Sequence, residues 1–107
     1  MKSENIKKAV DQVLEPFNKG RHPTNPLGNL QAAIEDKMAT FGLKVDAGFP
    51  LAHIGYGDTL HKTYDIVDSN DDPVMHVKTS TYRCNHSGNY EVNAYSNKAD
   101  KKSKFRP

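Results

Sequence analysis

Five histidines, one cysteine and a scatter of carboxylates are the groups with which this 107-residue chain can do chemistry, and their spacing decides how much. A zinc site needs ligands that converge on one point, commonly from H-x-x-x-H or C-x-x-C spacings, and neither occurs. Cys84 and His86 are the nearest pair and lack further ligands. Asp68-x-Asn70-x-Asp72 matches the opening of a calcium loop, but Pro73 stands where that loop needs glycine and Thr79 where it needs glutamate. Gly55-Tyr56-Gly57-Asp58 lacks the third glycine and the following helix of a phosphate loop, so it reads as a bend. No metal and no cofactor is expected.

One acid–base constellation survives this sieve. Asp65, with His76 and Lys78 on the next predicted strand, offers a carboxylate for a cation and an ammonium to steady developing charge, the parts of a metal-dependent nuclease. Such a site needs a second acidic residue where His76 stands, so the simpler expectation is a cross-strand Asp65–His76 pair. No serine has a recognisable base beside it, and Cys84 is reactive only if its surroundings lower its pKa. No catalytic residue is therefore assigned.

The elements that must position these groups centre on Leu60 to Ser96. Leu60, Tyr64 and Ile66 alternate with His61, Thr63 and Asp65, the period of a strand buried on one side. A turn-forming cluster from Asp68 to Pro73 follows. Met75, Val77, Thr79 and Thr81 then alternate with His76, Lys78, Ser80, Tyr82 and Cys84. After a second turn at Asn85-His86-Ser87-Gly88, Tyr90, Val92 and Ala94 alternate with Glu91, Asn93 and Tyr95. Centring the turns pairs Ile66 with Met75, Tyr64 with Val77, Thr81 with Val92 and Thr79 with Ala94. All three strands then agree on one apolar and one polar face, which a slip of one residue would destroy. His61 and His76 share the polar face but stand four residues apart, about 13 Å at roughly 3.3 Å per residue, too far to share one ion.

Upstream, Ile6, Val10, Val13, Leu14 and Phe17 form one helical stripe, with Pro16 expected to end or bend the helix. Lys19 to Thr24 reads as a linker in which Arg21 and His22 are solvated. Asn25-Pro26 opens a second helix with Leu27, Leu30, Ile34, Met38 and Phe41 buried and Gly42 terminating it. Leu51 to Tyr56 suggests a short extra strand. Two one-sided helices and a one-sided sheet bury their apolar faces against each other. The predicted fold class is α+β: two N-terminal helices packed on one face of a three- to four-stranded antiparallel meander. Residues 1–97 form a single domain and residues 98–107 a basic, flexible tail.

Composition narrows function by exclusion. A net charge of +2 lacks the strong basicity of a dedicated nucleic-acid binder. No apolar run approaches the roughly 20 residues of a membrane span and Met1-Lys2-Ser3 leads into no signal core, so a cytoplasmic location is expected. The face left to water carries His61, Thr63, Asp65, His76, Lys78, Ser80, Tyr82, Asn93 and Tyr95. Its tyrosines and hydrogen-bonding groups match the composition of protein interfaces. The leading expectation is a non-enzymatic protein-binding module using His61, Asp65, His76, Lys78, Tyr82, Asn93 and Tyr95, or else the edge of the last strand, which also offers a homodimer contact. Size and composition suit a regulator or inhibitor such as a virus directs at a host protein complex. The alternative is nucleic-acid binding, with Tyr82 and Tyr95 stacking on bases near Lys78 and Arg83 while Lys98, Lys101, Lys102, Lys104 and Arg106 follow phosphates. A nuclease-like enzyme around Asp65 ranks third.

Overall fold

Helical periodicity gives way to strand alternation near residue 43, and the architecture changes with it. A computed structural model of the chain describes residues 3–48 and 53–98. It has two helices, α1 (Ser3–Asn18) and α2 (Leu27–Ala39), followed by four strands, β1 (Lys44–Asp46), β2 (Thr59–Val67), β3 (Pro73–Arg83) and β4 (Tyr90–Lys98). The strands form one antiparallel sheet in the order β1-β2-β3-β4. This is the predicted α+β meander with its helices first.

The helices bury the stripes that their spacing dictates. Ile6, Ala9, Val10 and Leu14 of α1 meet Leu27, Leu30, Ile34 and Met38 of α2 over Tyr64, Ile66, Met75, Val77, Val92 and Ala94 of the sheet. Fully burying each large aliphatic side chain contributes about 1.5–3 kcal/mol. The Asn25 Oδ1 accepts the Leu27 amide at 3.1 Å, and the Pro26 carbonyl accepts that of Leu30 at 2.9 Å. Gly42, at φ +73°, ends α2 as expected: the amide of Gly42 bonds to the Ala39 carbonyl, and the left-handed turn at Gly42 lets the Leu43 amide return to that of Met38.

Three local expectations are corrected. Of the two outcomes expected at Pro16, an end is ruled out, since helix α1 runs on to Asn18. Proline there forfeits one amide, the one that would meet the Gln12 carbonyl; both residues are exposed, so water replaces that bond at low cost. The short extra strand is Lys44–Asp46, not Leu51 to Tyr56. Val45 faces Ile66 in β2, while residues 53–56, with Gly55 opening a turn closed by the Asp58 amide, belong to no strand, and residues 49–52 lie outside the described residues. The helix connection is exposed as expected at Arg21, but His22 is half-buried and anchored rather than solvated. His22 exchanges both backbone hydrogen bonds with Tyr90, at 2.7 and 2.8 Å, its Nε2–H donates to the Phe17 carbonyl at 2.9 Å, and Arg21 pairs with Glu91.

The strand register is the one that the turn arithmetic requires. Tyr64 faces Val77, Ile66 faces Met75, Thr79 faces Ala94 and Thr81 faces Val92. In the first turn the Asp68 carboxylate accepts the amides of Asn70 and Asp72 at 2.9 and 3.0 Å, which makes it an aspartate turn. Val67 pairs with Pro73, so Val74 is an extra residue that bends the end of β3. Lys98 is the last residue of β4, opposite Met75, rather than the start of a tail. Lys101, Lys102, Lys104 and Arg106 lie outside the described residues. No helix among those described is long and apolar enough to cross a membrane.

Candidate binding face

Register and alternation together lay out the face of the sheet opposite the helices. From one end, across β2, β3 and β4, the rows read Thr59, Tyr82, Glu91; then His61, Ser80, Asn93; then Thr63, Lys78, Tyr95; then Asp65, His76, Asn97, with Asp46 of β1 beside Asp65. Every residue that the sequence assigns to a binding face therefore lies on one side of one sheet. Tyr82 and Tyr95 are 37% and 49% exposed, figures that leave their rings free to touch another molecule. Lys78 stands directly opposite Tyr95 and is exposed. Tyr82 lies one row beyond Ser80 and Asn93, about 13 Å along the strands from Tyr95.

His76 departs from expectation. It belongs to the open face by parity yet is only 4% exposed, and its Nδ1–H donates to the Asp65 carboxylate at 2.8 Å. That hydrogen bond was the simpler reading of the constellation, and it makes the pair part of the sheet's own cross-strand bonding. His61 is exposed and hydrogen-bonded to the Ser80 hydroxyl at 2.8 Å, in a different row from His76. Among the described residues no three His, Cys, Asp or Glu side chains gather as metal ligands.

Arg83 is a second departure. It does not stand among the exposed tyrosines but points to the helix side at the end of β3, its guanidinium 4.1 Å from the Tyr56 ring centre and 5.2 Å from that of Tyr90. Its Nη1 donates to the Ile54 carbonyl at 2.9 Å and its Nε to that of Gly88. The arginine thus clamps the loop before β2 onto the β3–β4 turn, and cation–π contact adds to its hydrogen bonds. Tyr56, 61% exposed, stacks on the outside of this clamp. The sequence Gly55-Tyr56-Gly57 by itself predicts only a bend. The sequence signal for more is an aromatic between two glycines; the structure places Gly57 at φ +79°. Cys84, next to the clamp, is held below the ordinary thiol range by hydrogen bonds from the Ser87 side chain, then from the backbone of Ser87 and His86, with Arg21 adding a smaller effect. No general base is positioned against it by any hydrogen bond among the described residues.

The edge of β4 was the other candidate contact, and it is already occupied. The Tyr90 amide and carbonyl bond to His22, those of Ala94 bond to the Asn18 side chain at 2.7 and 2.8 Å, and the Ser96 carbonyl accepts from Lys7 at 3.2 Å. The buried Ser96 hydroxyl donates to Asp11 at 2.6 Å and accepts from Lys7 at 3.1 Å, fastening α1 to the strand. A partner adding to this edge as the chain stands must first displace these bonds, so the β4 edge that was expected to be open is already engaged at Tyr90, Ala94 and Ser96. A shallow, open concavity runs along α1 past Glu4, Lys8, Gln12 and Glu15, on the helix side of the molecule. Comparison with protein-family models, with curated proteins and with solved structures finds no match to this chain.

Proposed function

We propose that this chain is a non-enzymatic protein-binding module whose contact surface is the open sheet face, and that it regulates or inhibits a larger protein complex by occupying one of its surfaces. The observation that carries the reading is the exposed set Tyr82, Lys78 and Tyr95 on hydrogen-bonded strands whose other face is core. Tyrosine brings large contact area at small entropic cost, and a paired strand fixes its backbone in advance, which is how hot spots are built. His61, Ser80 and Asn93 fill the row between the tyrosines with hydrogen-bonding groups. Asp65 and His76 serve the surface by bonding to each other and holding its lower row. The mixed charge of the face, with Lys78 against Glu91, Asp65 and Asp46, suits a protein partner better than a phosphate backbone.

The test is affinity capture from the native cell with the wild-type chain and with a Tyr82→Ser, Tyr95→Ser, Lys78→Glu triple variant. A discrete partner held by the first and lost by the second, with Lys8→Glu on the exposed side of α1 as a control that retains it, supports the reading. Capture unaffected by the triple variant overturns it. Oligonucleotide binding that weakens steeply with salt and vanishes in the triple variant transfers the same face to nucleic acid. Divalent-dependent nicking lost in Asp65→Ala would instead establish the enzyme.

A further inference from the structure

In β4 every second residue turns its amide and carbonyl away from β3; Tyr90, Val92, Ala94 and Ser96 form that outward set, and the bonds described above engage it at Tyr90, Ala94 and Ser96. Such a row is a template for another strand. None of its partners here is a strand. His22 belongs to the helix connection, Asn18 to the last turn of α1, and Lys7 to its second turn. Asn18 is chemically apt: its side chain is a primary amide, so it presents to Ala94 the same donor and acceptor that a residue of a fifth strand would. Its reach depends on the helix continuing through Pro16, since a helix stopping there would leave Asn18 unanchored.

We infer that Asn18 and Lys7 form a lock on the β4 edge, and that the occupant they exclude is a second copy of this chain, pairing β4 to β4 antiparallel about a two-fold axis. A second copy is favoured because the edge is self-complementary: alternate outward donors and acceptors on one β4 meet the same pattern on another run in reverse. Pairing centred near Tyr95 uses the groups of Ala94 and Ser96 and leaves the His22–Tyr90 bridge in place. The inference is independent of the open-face reading, because the edge and the face are different surfaces of β4.

The experiment measures mass by sedimentation equilibrium over roughly 5–500 µM for the wild-type chain and the Lys7→Ala, Asn18→Ala double variant. The wild type is expected to stay monomeric and the double variant to approach twice its mass. In a Cys84→Ser background, a single cysteine replacing Tyr95 should cross-link to its copy on oxidation at least tenfold faster with the lock removed than with it present. Ala94 amide exchange, slow in the wild type, should accelerate in dilute double variant and slow again on dimerisation. Asn18→Asp alone, which keeps the acceptor and loses the donor, provides a milder opening should the double variant not fold. A folded lock variant that stays monomeric at every concentration overturns the inference. A wild type that is already a cross-linkable dimer through Tyr95→Cys does so equally.

Discussion

The two faces of the sheet arise from the same strands read at odd and even positions, yet they differ in what holds them. On the helix side Tyr64, Ile66, Met75 and Val77 are wholly buried against Leu30, Ile34 and Met38, and each contact is shared among several elements. On the open side the residues meet mainly their cross-strand neighbours, and Tyr82, Tyr95, His61, Lys78, Glu91 and Asn93 are exposed. The difference shows how the chain divides labour: one face supplies nearly all the apolar burial and the other presents most of the exposed side chains of the sheet. His76 is the exception that connects them, an open-face residue with core-like burial.

Substitutions that break the helix side should cost most. Ile66→Ala or Leu30→Ala should each lower unfolding free energy by about 2–5 kcal/mol in urea titrations, through lost transfer energy plus the cavity left behind. Tyr64 provides a sharper probe. Its hydroxyl is buried with no hydrogen-bond partner among the described residues, and burial, aided by the Glu35 charge, pushes its pKa up to about 12 from 10.0. Because the folded form holds that proton longer than the unfolded chain, stability is intact below pH 10 and falls as pH rises towards 12. The full loss is of order 3 kcal/mol. Tyr64→Phe should abolish this slope, read as the wild-type minus variant difference, and leave stability at pH 7 equal or higher, since it deletes a desolvated hydroxyl.

The Asp65–His76 pair should give the next effect. Asp65→Ala leaves the buried His76 ring without its 2.8 Å acceptor and should cost about 1–3 kcal/mol in thermal or urea unfolding, with Asp65→Asn recovering part of it. A loss below 0.3 kcal/mol would place the pair with the expendable open face and restore Asp65 as a candidate for chemistry.

How much of this was legible in the sequence follows from which interactions are periodic. The meander, its register and the side on which each face lies come from alternation and turn residues, signals that act over a few positions, so Tyr64–Val77 and Thr79–Ala94 pair as the spacing requires. Parity says which way a side chain points but not how deeply it is covered, which is why His76 looked exposed. The Asn18–Ala94 and His22–Tyr90 bonds join positions 76 and 68 residues apart through single polar groups in a helix end and a loop, and no repeat announces them. Lys44–Asp46 is too short to alternate visibly, while the spacing of Leu51 and Ile54 suggests a strand that the described residues 53–56 do not form. Arg83 sits at a strand end, where it follows the apolar parity of Thr81 while its charge suggests the opposite.

The smallest expected effect sharpens the comparison furthest. Tyr82→Ser, Tyr95→Ser and Lys78→Ala remove side chains that rest on neighbours but seal no core, so each should change unfolding free energy by no more than about 0.5 kcal/mol. Tyr82 is the more demanding of the two tyrosines, because at 37% exposure part of its ring covers the ladder beside Glu91 and Thr59. If Tyr82→Ser costs more than 1 kcal/mol while Tyr95→Ser costs nothing, the upper row is structural and the contact surface contracts to Lys78, Tyr95 and Asn93. If both are silent in unfolding and both abolish partner capture, stability and recognition are carried by opposite faces of one sheet, and the exposed tyrosines are there for a partner.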